Sequence, residues 1–127
     1  MATMKTINGG IITNPMDKEL VQSIGNIQIY KVGELVQIEG YVSFQYTDIT
    51  VKQPYTLGVI SDSSLCPAAN HNAIGTAWAY RWTQAQTYNY TPAMISVDYA
   101  GNLTLIPMEI NSSGLTTFML FLLYKPT

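Results

Sequence analysis

The sequence predicts an all-β protein: a small antiparallel β-sandwich or barrel, jelly-roll-like in outline, behind a short irregular N-terminal leader. Three observations predict it. Apolar residues recur with period two in several segments, Gly/Asn/Ser turns separate those segments, and no ten residues show an i, i+3, i+4, i+7 stripe. A chain of 127 residues fits one domain able to bury an ordinary core.

Residues 1–25 read as the leader or stalk connection, with one short helical turn at most. Gly9-Gly10 and Asn14-Pro15 break structure, and Asp17-Lys18-Glu19 concentrates charge. Residues 26–127 read as the β domain. Ile27 and Ile29 alternate with Gln28 and Tyr30. After Gly33-Glu34, a pair that suits a tight hairpin with positive φ at its first position, a longer strand begins. Val36, Ile38, Val42 and Phe44 share one of its faces, and Gln37, Glu39, Tyr41, Ser43 and Gln45 the other. Strand patterns return at Tyr55–Ile60, Ala73–Trp82, Ala93–Asp98, Leu103–Ile106 and Leu115–Tyr124. A Tyr99-Ala100-Gly101-Asn102 turn and an Asn111-Ser112-Ser113-Gly114 turn separate the last three.

The last segment is apolar on both faces, with Phe118, Leu120 and Leu122 on one and Met119, Phe121 and Leu123 on the other. Both faces therefore need cover. Either one face (Phe118, Leu120 and Leu122 as the contact set) meets another subunit, or the strand lies centrally in a closed barrel under the leader.

Composition narrows the function. Only 11% of residues are charged, against about 25% in typical chains, and the net charge is −2. Six basic residues spread singly do not make a phosphate-binding surface, so no nucleic acid partner is expected. One Cys and one His leave neither a disulfide framework nor a four-ligand zinc site, and no loop clusters oxygens for calcium, so neither metal nor cofactor is expected. The most apolar run is far shorter than the ~20 residues of a spanning helix, and the N-terminus lacks a signal peptide's apolar stretch. A soluble protein without membrane insertion is expected.

Catalytic signals are sparse. His71, the single imidazole, lies in a polar loop after Pro67 with no Gly-x-Ser-x-Gly elbow near it. Glu34, Glu39, Asp48, Asp62, Asp98 and Glu109 form no pair at glycosidase spacing by local sequence. Cys66 reads as a buried small residue or a thiol of ordinary reactivity. No enzyme is expected. Both tryptophans and three of nine tyrosines fall between Trp78 and Tyr90. Period two puts Trp78, Tyr80 and Trp82 on one face and Ala77, Ala79 and Arg81 on the other. Tyr88, Asn89 and Tyr90 read as part of an exposed Thr/Gln/Asn-rich loop, Thr83 to Thr91. Trp and Tyr join an apolar body to a polar tip. Such rings stack on the C–H faces of sugars while Asn, Asp, His and Arg hold the hydroxyls. Alternatively, Trp78 and Trp82 are core residues.

From Asn26 to Tyr124 the chain resembles the receptor-binding head domains on the tail tips and baseplates of phages that infect Gram-positive bacteria. The resemblance lies in an ordered set of elements: Ile27-Gln28-Ile29-Tyr30-Lys31-Val32-Gly33-Glu34-Leu35-Val36-Gln37-Ile38; Leu57-Gly58-Val59-Ile60; Leu65-Cys66-Pro67-Ala68-Ala69-Asn70; and Ile95-Ser96-Val97-Asp98-Tyr99-Ala100-Gly101-Asn102-Leu103-Thr104-Leu105. It implies a homotrimeric β head that adsorbs to a host cell-wall glycan without chemistry. It also implies a virion location beside other baseplate or tail proteins, after synthesis in the host cytoplasm. Sites of those heads combine a Trp, a His and an Asp, here Trp78 or Trp82, His71 and Asp98. Ser96 stands two before the acidic residue, where those heads carry a histidine, so His71 would come from another loop. The expected saccharide set is His71, Trp78, Tyr80, Arg81, Trp82, Tyr88, Asn89, Tyr90 and Asp98. The other reading is a structural tail or capsid decoration domain, its aromatics serving as core or subunit contacts.

Overall fold

The computed structural model of the chain describes residues 5–7, 10–12, 18–82, 88–111 and 113–126, with side chains described for 18–80, 90–111 and 113–126. Strands β1 (Lys5–Ile7) and β2 (Gly10–Ile12) pair with each other. The main body is one eight-stranded antiparallel sheet curled into a nearly closed barrel. Its strands are β3 (Lys18–Ile24), β4 (Ile27–Val32), β5 (Leu35–Gln45), β6 (Tyr55–Val59), β7 (Ala73–Trp82), β8 (Tyr88–Val97), β9 (Asn102–Ile106) and β10 (Leu115–Tyr124). Around the sheet they run β3-β4-β5-β10-β7-β8-β9-β6. Of the sandwich and barrel alternatives, the chain forms the barrel.

The period-two segments become strands with their apolar sets inward. Ile27 and Ile29, Val36 and Ile38, Ile95 and Val97, Leu103 and Leu105 are all buried. The β4–β5 hairpin turns at Gly33-Glu34, with Gly33 at φ 60°. Gly40 sits on the inner side of β5 at φ 138°, where a Cβ would lie 2.2 Å from the Asn26 carbonyl oxygen, so only glycine lets β5 pass the β3–β4 turn this closely. Inside, Phe118 of β10 stands directly opposite Ala79 of β7. Phe118 meets Phe44 edge-on at 6.2 Å, and Phe44 meets Tyr55 at 5.9 Å. Ala77, Ala79 and Ala93 are small enough to leave room for this cluster.

Two expectations change. Residues 18–24 were read within the leader, yet they form β3, paired with β4. A register shift between Leu20 and Gln22 inserts Val21, so the apolar residues of β3 are adjacent rather than alternating and carry no strand period. Phe118, Leu120 and Leu122, expected at a subunit contact, are instead core residues at 0%, 4% and 5% exposure. Period two paired the residues correctly but did not say which set turns inward.

The two edge strands face each other, and the side chain of Gln22 bridges them. Its Nε2 donates to the Val59 carbonyl at 2.9 Å, and its Oε1 accepts from the Ser61 N–H at 3.0 Å. The side chain of Ile24 packs where a Cβ on Gly58 would stand. Substituting Gln22→Ala removes these two hydrogen bonds and a longer third from the Ser61 hydroxyl (3.3 Å), across the seam between β3 and β6 that no backbone ladder closes among the described residues. The expected cost is about 1–2 kcal/mol, read as a lower urea midpoint with unchanged slope.

Candidate functional site

The outward face of β5, β10, β7 and β8 carries the chemistry. Strand register arranges it in rows across four strands. One row runs Ser43, Thr117, Tyr80, Tyr90, and the next runs Tyr41, Met119, Trp78, Pro92. Because Ala77 and Ala79 take the inward positions of β7, Trp78 faces out at 46% exposure, which sets aside a core role for it. Tyr90 is 61% exposed, and its ring lies 5.1 Å from that of Tyr80, tilted by 40°. Beside this ring pair, the Ser43 and Thr117 hydroxyls share a hydrogen bond of 2.7 Å. Ser43 also borders a cleft of ≈ 450 Å³ lined by Asn26, Tyr41 and Leu57 among others. The strip thus joins aromatic faces, hydroxyls and an amide, and none of these side chains is charged.

Tyr88, Asn89 and Tyr90, expected in a loop, lie on β8. Tyr90 pairs with Tyr80, Asn89 with Arg81 and Tyr88 with Trp82. The alternation there is of polar and aromatic residues, which the eye reads as loop composition. The side chains of Arg81, Trp82, Tyr88 and Asn89 fall outside the described residues.

His71 and Asp98 do not join this strip. Ala73 pairs with Val97, whereas Trp78 pairs with Pro92. Those two positions are separated by five residues of β7, about 17 Å at ~3.3 Å per residue. His71 is exposed and borders a different cleft, of ≈ 310 Å³, with Pro67, Tyr124, Lys125 and Pro126. Its backbone N–H donates to the Ala68 carbonyl at 2.9 Å. The expected convergence of Trp, His and Asp therefore does not occur between Trp78 and the other two.

Asp98 caps the β8–β9 turn. Its Oδ2 accepts from the Asn102 side-chain amide at 2.9 Å, and its Oδ1 accepts from the N–H groups of Asn102 and Ala100 at 2.9 and 3.0 Å. The Asn102 amide first, then the backbone donors, hold its carboxyl below the usual carboxylate range. Nearby, Asp62 caps the turn Ser63–Leu65 by accepting from the Ser64 hydroxyl and N–H. Tyr124 donates to the Leu65 carbonyl at 2.7 Å. Burial, followed by the fields of Asp62 and Asp98, pushes the Cys66 thiol up, away from thiolate reactivity. This end of the barrel is a set of turn anchors.

Sequence reading missed Ser43, Thr117, Tyr41 and Asn26 as site residues. Tyr41 and Ser43 stood on a recognised polar face, but Thr117 lies 74 residues from Ser43 and only the β5–β10 pairing joins them. Among the described residues, no three His, Cys, Asp or Glu side chains come together, and no helix is long and apolar enough to cross a membrane. The chain matches no family model, no curated protein and no solved structure.

The Asp98 cap has a pH signature. Its folded carboxyl titrates below the unfolded value of about 3.9, so its contribution is present above about pH 4 and is lost as pH falls through the folded value. Asp98→Asn is expected to lower stability at neutral pH and to flatten the loss of stability below pH ~4, measured by denaturant melts across pH.

Proposed function

We propose that the chain is a non-enzymatic attachment head of a virus particle, of the tail-tip or baseplate kind, that holds a host cell-surface saccharide on the outward strip of β5, β10, β7 and β8. The observation that carries the reading is the outward Tyr80–Tyr90 ring pair, with Trp78 one row away and the Ser43–Thr117 hydroxyls alongside. Rings take up the apolar faces of a sugar, hydroxyls and the Asn26 amide take up its rim, and an uncharged ligand needs no charge in return. The ordered resemblance of 26–124 to phage receptor-binding heads supports the same reading. In this reading the head works in several copies, as a homotrimer beside other baseplate or tail proteins. Each site is weak, in the millimolar to micromolar range, and adhesion comes from simultaneous engagement.

A structural tail or capsid decoration domain is the second reading. The half-exposed Met119, Phe121 and Leu123 favour it, because apolar side chains in a row on a sheet face suit assembly.

Glycan-array and titration measurements on Gram-positive cell-wall saccharides separate the two. The attachment reading expects binding that Tyr90→Ala with Trp78→Ala weakens by roughly tenfold or more, about 1.4 kcal/mol, while His71→Ala leaves it unchanged. Wild-type protein that binds no glycan at millimolar concentration would remove the saccharide reading and leave the structural one, and binding that survives the double substitution would remove the assignment of the site to this strip.

A further inference from the structure

The outward face of the barrel continues past Trp78, away from the tyrosine pair, and becomes mainly apolar on β10, β7 and β8, with Thr76 in it and Glu39 and Gln37 of β5 at its border. On β10, Met119, Phe121 and Leu123 stand in a ridge at 45%, 54% and 46% exposure. Beside that ridge, across β7 and β8, Ile74, Pro92, Met94 and Met108 line a groove of ≈ 400 Å³. We infer that this ridge and groove form the face on which a second copy of the chain docks, the ridge of one copy entering the groove of the next.

Three features select a second copy as the occupant. The first is shape. A protruding ridge and a receiving groove lie side by side on one face, so one copy can offer its ridge to the groove of the next while its own groove takes the ridge of a third, and a closed ring of copies satisfies every such pair. The second is charge. In a self-contact, residues near the symmetry axis meet their own equivalents, so any charge there repels itself. None of the ridge and groove residues named is charged, and the bordering Glu39 is engaged by Lys18 at 2.6 Å. The third is area. Seven such side chains, all exposed and ranging from about a third to nearly two-thirds where a value is given, amount to several hundred Å², approaching the ~800 Å² that each partner contributes to a stable interface and above the ~400 Å² patch tolerated on a soluble surface. The contact corrects the face expected from sequence, since Phe118, Leu120 and Leu122 are in the core. Trp78, flanked by Met119 of the ridge and Pro92 of the groove, borders both regions, while Tyr80 and Tyr90 lie one row beyond it and stay open to the saccharide when the ridge is covered.

Light scattering or sedimentation of the full chain from ~1 to ~100 µM reads the association directly. The expected mass is a multiple of 14.1 kDa. Phe121→Lys and Leu123→Lys, each at a half-exposed position, should weaken association by roughly 100-fold or more by forcing an ammonium against the apolar groove of the neighbouring copy. Val59→Lys on β6, 49% exposed and four strands away around the sheet, should not. Thermal melts establish that the variants fold; Phe121→Ser serves in place of a lysine variant that does not. A mass of 14.1 kDa throughout, or an assembly that both ridge substitutions leave intact, overturns the inference, and neither result bears on the Tyr90→Ala glycan measurement.

Discussion

The interior of a closed eight-stranded sheet has a set volume, and this chain fills it by placing Phe118 opposite Ala79. Once Phe118, Phe44 and Tyr55 occupy the middle of the barrel, the facing positions of β7 and β8 admit only small residues, and Ala77, Ala79 and Ala93 supply them. The alternation of the pleat then turns the neighbouring side chains out. Trp78 and Tyr90 are outward because the inward positions of their strands are held by residues that fit. Packing inside the barrel thus sets what is shown outside it.

Scarce charge is consistent with the use made of the polar groups. Gln22 bridges the seam between β3 and β6, Asp98 and Asp62 cap turns, Tyr124 ties the Ser63–Leu65 turn, and buried Thr116 accepts the Asn111 N–H at 2.8 Å. Each offsets the cost of a backbone group that the sheet ladder leaves unpaired. Asp98 and Asp62 therefore belong to the architecture, and their carboxylates are engaged by turn donors rather than presented to a ligand. The short ion pair of Lys18 with Glu39 lies at the surface, where such pairs contribute little.

The outward face divides into two chemistries along the strands. Toward the 83–87 connection it has tyrosine rings and hydroxyls, which suit a wet, hydroxylated ligand. Toward the opposite end it has methionine, phenylalanine and leucine, which suit a dry contact. The two meet at Trp78. A head that associates through one region and presents the other would hold several weak sites in one orientation, the geometry in which avidity is gained.

Local order is what the sequence by itself determined. Period-two segments are confirmed at β4, β5, β7 and β10, nearly residue for residue, as is the Gly33-Glu34 hairpin, because alternation and turn chemistry act over neighbouring residues. β3 was illegible because its bulge destroys the alternation, and the start of β8 because its Tyr-Asn-Tyr has loop composition. Tertiary structure alone decided which face of each strand turns inward. It also set Thr117 beside Ser43 and Tyr80, and put His71 and Asp98 beyond the Ala73–Val97 pair, itself about 17 Å along the strand from Trp78. Strand partners here are separated by up to 88 residues, as Val36 is paired with Tyr124 across 88 and Val42 with Phe118 across 76. No local pattern carries that register, because it is set by the closing of the barrel around its interior.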